Sequence, residues 1–415
     1  MICANRCQII IFNVYLQRFF NKGGRALKNR PVDPFRSIVP PLYLGISYGF
    51  NSVKEGAQIF ENPALGYAYG RMGNPTVTAF EKWLAKAEGV KEGSVWATSS
   101  GLSAVSLLFW GLTARSLGRP KRVVVSPYIY GGSFHQLQLW RNDHDCEVVF
   151  VNNPFNLSSW EEEIKSGAAF VFLETPTNPT LDIFDIKAIA QIAHKYGAFL
   201  VVDNTVTPVL QKPLELGADA VLYSVTKALN RQSTGLGGAI IGSPRFMEET
   251  EKVLNDYHIS TGAIMHPLSA YFTLLNRTTL QRDMELFSEN ALRVAKFLER
   301  HPRVRKVYYP FLPSHTDYAL ARWQMTGGGG LLSFELESFE AASRLVESLQ
   351  TARLAPHLGD ENENLVIHPA STTHSKLSLE ELQKVRISPE LVRLSVSLGD
   401  MNELISELDQ VLKTL

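Results

Sequence analysis

Between about residues 75 and 245, short apolar runs alternate with amphipathic stretches, and this alternation restricts the folds open to the chain. The runs are "RVVVS" (122–126), "EVVFV" (147–151), "AFVFLE" (169–174), "AFLVVD" (198–203), "AVLYS" (220–224) and "GAIIG" (238–242). They are rich in Val, Ile and Phe and show little alternation, as strands covered on both faces should. Between them lie helical patterns such as "DIKAIAQIAHKYG" (185–197), with apolar Ile186, Ile189, Ala190 and Ala193 and a stop at Gly197. Repeated strand–helix alternation implies βαβ units and a mostly parallel sheet.

After about residue 266 the pattern changes. A long helical segment, "LQRDMELFSENALRVAKFLERHP" (280–302), leads into isolated strands, "GLLSFEL" and "VRLSVSL", separated by helices such as "MNELISELDQVLKTL". This reads as a second, α+β domain. The expected division is an N-terminal extension and arm (1–70), an α/β domain (71–266) and a smaller C-terminal α+β domain (267–415).

Totals exclude several functions. The 41 basic and 41 acidic residues cancel, which argues against a polyanionic partner such as nucleic acid. Cys3, Cys7 and Cys146 cannot form a disulfide framework and suit a reducing, cytoplasmic compartment. The first 30 residues carry six basic side chains and no acidic one. A transit-like or membrane-surface segment fits that pattern, but its apolar "IIIFNVYL" is too short to span a bilayer, and an extension is the simpler reading.

In open α/β sheets ligands sit outside the carboxyl ends of the strands. Asp203 closes one run, and Ser224 and Lys227 follow the next, so the three are expected to converge. From position alone, a lysine beyond a strand is an ordinary surface residue. Together, a lysine and a carboxylate can hold a pyridoxal ring, one as Schiff base and the other at the pyridinium nitrogen. A phosphate cradle is available where Ser100 and Gly101 open the apolar helix of "ATSSGLSAVSLLFWGL" (97–112). Tyr69 and Arg71 precede a helix expected to start at Pro75 with Asn74 as N-cap. The Arg71 guanidinium fork suits a phosphate, or a solvated loop.

The ordered set "YAYGRMGNPT", "SSGLSA", "YIYGGS", "ETPTNPT", "VVDNT", "PLELGADAVLYSVTK", "IHPASTTHS" and "RLSVSLGD" resembles the Cys/Met-metabolism (transsulfuration) family of pyridoxal phosphate (PLP) enzymes. The likeness runs from about residue 37 to the C-terminus. It implies the α/β fold type I architecture of PLP-dependent transferases. It implies PLP as cofactor, Lys227 as Schiff-base lysine and proton shuttle, and Asp203 as partner of the pyridinium nitrogen. Tyr130 corresponds to the ring-stacking tyrosine, and Asn178 to the residue near the phenolic oxygen. Ser100, Gly101, Leu102, Ser224 and Thr226 correspond to one subunit's phosphate cradle, and Tyr69 and Arg71 to contacts delivered from a neighbouring subunit. Arg393 corresponds to the arginine for the substrate carboxylate. A homodimer or homotetramer with shared active sites follows from the same resemblance, as does a small amino-acid substrate.

The expected reaction is γ-replacement or γ-elimination on an activated homoserine, of the O-acetylhomoserine sulfhydrylase or cystathionine γ-synthase type. Cystathionine or methionine lyase is the alternative within the family, and a catalytically silent PLP-fold binding protein the alternative outside it. The chain departs from the family at Asn230-Arg231-Gln232-Ser233-Thr234, where asparagine-glycine-histidine-serine-aspartate is common. A bulky cation is thereby expected near the cofactor face. His357 stands where many relatives carry serine or asparagine, and no glutamate precedes it, which weighs against cystathionine cleavage. The spacings of His357, His368 and His374 do not make a helical metal pair, and no metal is expected. "GLGGAIIG" lacks a dinucleotide context and reads as a Gly-rich strand entry; "GGGG" (327–330) precedes a strand, not a P-loop helix.

Overall fold

Seven strands form the larger sheet of the computed structural model, which describes residues 37–375 and 378–415. The basic N-terminal segment, with Cys3 and Cys7, lies outside the described residues. The strands are β1 (Val95–Thr98), β2 (Arg122–Val125), β3 (Glu147–Phe150), β4 (Phe170–Glu174), β5 (Phe199–Asp203), β6 (Ala220–Tyr223) and β7 (Gly238–Gly242). Their order is β1-β7-β6-β5-β4-β2-β3. β3, β2, β4, β5 and β6 run parallel, and β7 is antiparallel to both β6 and β1. The mostly parallel sheet inferred from the apolar runs is present.

Burial explains why those runs do not alternate. On β4, Phe170 and Phe172 join one apolar cluster while Val171 and Leu173 join another. On β5, Phe199 and Val201 face the first cluster, and Leu200 and Val202 the second. Every residue of both strands is buried. Each such aliphatic or aromatic side chain stabilises the fold by roughly 1.5–3 kcal/mol relative to exposure. Between β4 and β5 the helix Ile186–Lys195 turns Ile186, Ile189, Ala190 and Ala193 onto the sheet, with the Asp185 side chain capping Ala188 N–H.

A second, five-stranded sheet follows, from β8 (Lys306–Tyr308), β9 (Leu331–Glu335), β10 (Ala352–Leu354), β11 (Asn364–Ile367) and β12 (Leu391–Ser395). Its order is β10-β11-β12-β9-β8, antiparallel except for β10 with β11. One apolar cluster includes Val221 and Tyr223 of β6 together with Phe334 of β9 and Val392 of β12. Pro40–Leu415 accordingly packs as one compact unit. The helix Pro75–Ala87 begins at Pro75, with Asn74 Oδ1 accepting from the Thr76 and Val77 N–H groups, as the sequence predicts.

Arg231 departs from expectation. Its guanidinium is not a cofactor-side cation: it is buried, with Nη1 2.9 Å from Asp283 Oδ2 and Nη2 donating to the Asn276 carbonyl at 2.6 Å. The backbone here is left-handed (φ 60°), a conformation a glycine would adopt without strain. A buried ion pair thus ties the turn after Lys227 to the helix Leu280–Arg300.

Candidate active site

The carboxyl ends of β1, β2, β4, β5 and β6 supply most of the candidate residues. Glu174 ends β4 directly opposite Asp203 at the end of β5. Asp203 Oδ1 accepts from Thr205 N–H at 3.0 Å and from Thr205 Oγ1 at 2.6 Å. Among the described residues no donor engages the other carboxylate oxygen. Burial raises the Asp203 pKa to about 6 against the opposing effect of the Thr205 bonds. Thr205 Oγ1 also accepts the Ser224 N–H at 2.8 Å, so one hydroxyl joins Asp203 to the end of β6.

Glu174 organises the opposite side. Its Oε2 accepts from Tyr130 N–H at 2.7 Å and its Oε1 from Asn178 N–H at 2.8 Å. Burial first, and the neighbouring Asp203 second, push its pKa well above the usual carboxylate range. Tyr130 is the N-cap of the helix Gly131–Asp143 and is 44% exposed. A side chain at Gly132 would run into that ring, at 2.5 Å from Tyr130 Cε1.

The candidate phosphate cradle has its own geometry. Ser100 caps the helix Gly101–Leu112, its Oγ accepting from Ser103 N–H at 3.1 Å. Gly101 is compulsory: a Cβ there would lie 2.9 Å from Ser224 Cβ. Thr226 Oγ1 donates to the Gly237 carbonyl and accepts from its N–H. Leu102 is 37% exposed on the first turn of the helix. The Gly-rich entry of β7 serves the same packing, since a Cβ on Gly238 would fall 2.1 Å from the Ser100 carbonyl oxygen. Gly238→Ala is therefore expected to shift the cradle and destabilise the fold by about 1–3 kcal/mol, with a larger loss of affinity for a phosphate ligand. Thermal melts and phosphate-cofactor titration of the variant check this; a wild-type result in both would remove Gly238 from the cradle.

Lys227 lies half-buried three residues beyond Ser224. Burial, then the charge of Arg393, lower its pKa to about 8. Arg393 projects from the middle of β12 and is buried, with Nη1 donating to Asn178 Oδ1 at 3.1 Å and Nη2 to the His357 carbonyl at 3.0 Å. Its Nε is buried without a partner among the described residues. Burial lowers the Arg393 pKa to about 10, so the guanidinium stays charged at neutral pH.

Tyr69 and Arg71 stand apart. The Arg71 guanidinium lies 5.6 Å from the Tyr69 ring and donates to the Ile259 carbonyl at 2.8 Å, and no hydrogen bond links either side chain to Ser100, Ser224 or Lys227. His368 is engaged by Ser371 and the Pro389 carbonyl, and His374 by Thr373. Among the described residues no three His, Cys, Asp or Glu side chains form a metal-binding group. Three site residues escaped the sequence reading: Glu174, Thr205 and His357. The first two sat inside quoted motifs without an assigned task; His357 was weighed as a metal ligand and as a departure bearing on substrate choice, whereas its Nδ1 lies 3.1 Å from Lys227 Nζ.

These residues suit a phosphorylated, cationic aromatic cofactor. The N-terminus of the helix Gly101–Leu112 offers N–H groups, and Asp203 presents an oxygen that no donor among the described residues engages. Comparison with known proteins agrees. L-methionine γ-lyase of Fusobacterium nucleatum is 37% identical over 385 residues, 92% of this chain and 95% of that protein. O-succinylhomoserine sulfhydrylase of Pseudomonas aeruginosa is 34% identical over 90% of each chain. A Campylobacter jejuni structure assigned as an O-acetylhomoserine (thiol)-lyase contains N'-pyridoxyl-lysine-5'-monophosphate. It superposes with a TM-score of 0.86 at 32% identity, covering 94% of this chain and 98% of that one. Cystathionine γ-synthase from Xanthomonas oryzae, solved with cystathionine, gives a TM-score of 0.82 at 32% identity over 91% of this chain and 93% of its own. The profile of Cys/Met metabolism PLP-dependent enzymes matches residues 26–413, and with its fold and cradle the chain belongs to that family.

Proposed function

We propose that the protein performs γ-replacement or γ-elimination on an α-amino acid carrying a leaving group at its γ-carbon, an activated homoserine in the first place. The observation that carries this is the charged, buried Arg393 with an unpartnered Nε, set beside Asn178 and the lysine pocket. A guanidinium fork so placed binds a substrate carboxylate. PLP, when bound, acts as an electron sink for charge at the α- and β-carbons. The chain supplies the rest. Lys227 holds the cofactor and then moves protons at the substrate α- and β-carbons. Asp203 keeps the pyridinium nitrogen protonated. Ser100, Gly101, Leu102, Ser224 and Thr226 hold the phosphate, while Tyr130 covers the ring and Asn178 faces the phenolic oxygen.

Methionine γ-elimination is the second reading, favoured by the methionine γ-lyases at 36–37% identity. Product analysis from O-acetylhomoserine, O-succinylhomoserine, cystathionine and methionine, each with and without sulfide, separates the two. No product from any of the four, with the cofactor's visible band unmoved by amino acids, would leave a silent binding protein.

The proposed setting is cytoplasmic. No helix among the described residues is long and apolar enough to cross a membrane. The proposed assembly is a homodimer or homotetramer with sites completed by Tyr69 and Arg71 of a neighbouring subunit. The α/β part to residue 266 would carry the cofactor and the part from 267 the substrate arginine. Arg71→Ala and Lys227→Ala proteins should each be nearly inactive and regain activity when subunits exchange, because one hybrid site then combines both intact residues. A mixture that demonstrably exchanges subunits yet stays inactive would reject the shared site.

A further inference from the structure

His357 lies in the loop between β10 and β11, far along the chain from Lys227, yet the fold forces the two together. Gly359 has a left-handed backbone (φ 74°), and a Cβ on it would lie 2.8 Å from the Ala228 nitrogen. The loop backbone therefore rests directly on the residue after Lys227. Glu361 N–H donates to the Arg231 carbonyl at 2.8 Å, and Asp360 accepts from the Ser233 hydroxyl. Gly359 N–H is held by Ser395 Oγ at 2.9 Å, and the His357 carbonyl by Arg393. The backbone that carries the ring is thus fixed by its own loop, the lysine turn and β12.

The pairing has a chemical direction. Burial, then the charges of Lys227 and Arg393, hold the imidazole neutral, with a pKa lowered to about 4 against the pull of Asp360. The nitrogen facing Lys227 Nζ is then an acceptor, and the ring proton sits on Nε2. That Nε2 is buried and has no partner among the described residues, a donor left for an occupant of the site. Nζ faces an acceptor that Arg393, a donor only, cannot replace.

We propose that His357 is the positioning residue for the Lys227 amine whenever that amine is not bonded to cofactor, accepting its N–H through Nδ1 and turning its lone pair toward the substrate. The inference rests on the proposed role of Lys227. No bond is made or broken by the ring: Lys227 carries the proton, and His357 fixes the direction from which it is taken.

Holoenzyme variants His357→Ala and His357→Asn test it, because the Asn side-chain oxygen can stand near the Nδ1 position while Ala offers no acceptor. L-Alanine is the probe, since without a γ-substituent it reports α-proton transfer alone. NMR follows loss of its α-proton in deuterated buffer, the cofactor's visible band gives its dissociation constant, and cofactor uptake by the cofactor-free protein is timed against pH. His357→Ala is expected to slow exchange about 10- to 100-fold with binding changed less than about threefold, the size and pattern of losing one hydrogen bond to an ionisable group. Its cofactor uptake should show a displaced pH midpoint, and His357→Asn should recover most of the exchange rate. Wild-type exchange in His357→Ala overturns the proposal, as does a parallel loss of exchange and binding that Asn does not repair. Lys227→Ala runs alongside: exchange that persists without the lysine would sink the Lys227 assignment itself, a result distinct from failure at His357 alone.

Discussion

Lys227→Ala is expected to lose turnover by at least ~10²–10⁴-fold, the contribution of a positioned proton-transfer group alone. The reason lies in the pocket. Burial and the Arg393 charge hold Nζ at a pKa of about 8, so near neutral pH a fraction of the amine is uncharged and able to take a proton. The usual lysine value near 10.4 would leave that fraction more than about a hundredfold smaller at the same pH. On the proposed role, alanine would remove both the attachment point for the cofactor and the base, whereas the strands that set the site are untouched. Circular dichroism should report a wild-type fold, with the visible band of bound cofactor lost. Near-normal turnover in the purified variant would transfer the role to another residue.

The large sheet was legible in the chain because its strands are buried on both faces, leaving unbroken apolar runs such as Phe170–Glu174 and Phe199–Asp203. The short strands were harder. Lys306–Tyr308 and Ala352–Leu354 hold three residues each, too few to establish a period. Asp203, Ser224 and Lys227 could be placed at strand ends from local pattern, and their convergence follows from parallel pairing. Contacts across the chain left no local trace. Nothing near residue 357 announces a partner 130 positions away, and Arg231 reads as an intrusive cation until Asp283 is brought against it. Glycines carried part of that missing information. Gly101, Gly238 and Gly359 each mark a place where two distant backbones or a backbone and side chain touch.

Asp203→Asn is expected to separate stability from function in one variant. In the cofactor-free fold the Asp203 carboxyl is raised from an ordinary 3.8 to about 6, with burial as the cause. A native state that binds the proton more tightly than the unfolded chain loses stability as pH rises between those two values, and above the upper one the loss is complete. At pH 7.5 the ionised carboxylate thus costs the cofactor-free protein up to about 3 kcal/mol, from some two units at 1.36 kcal/mol each. The neighbouring Glu174, itself raised, shares in that cost. An amide of the same shape carries no charge to bury, so cofactor-free Asp203→Asn should be more stable by ~1–3 kcal/mol at pH 7.5 and gain little near pH 4. Turnover should move the other way, falling about 10²-fold or more, because an amide cannot hold a pyridinium proton by charge. On the proposed role, a cationic ring nitrogen would relieve the carboxylate in this unfavourable place. Denaturant titrations at the two pH values, paired with turnover and cofactor content, test both halves. A variant destabilised at pH 7.5, or one that turns over as the wild type does, would make Asp203 a structural carboxylate serving Thr205.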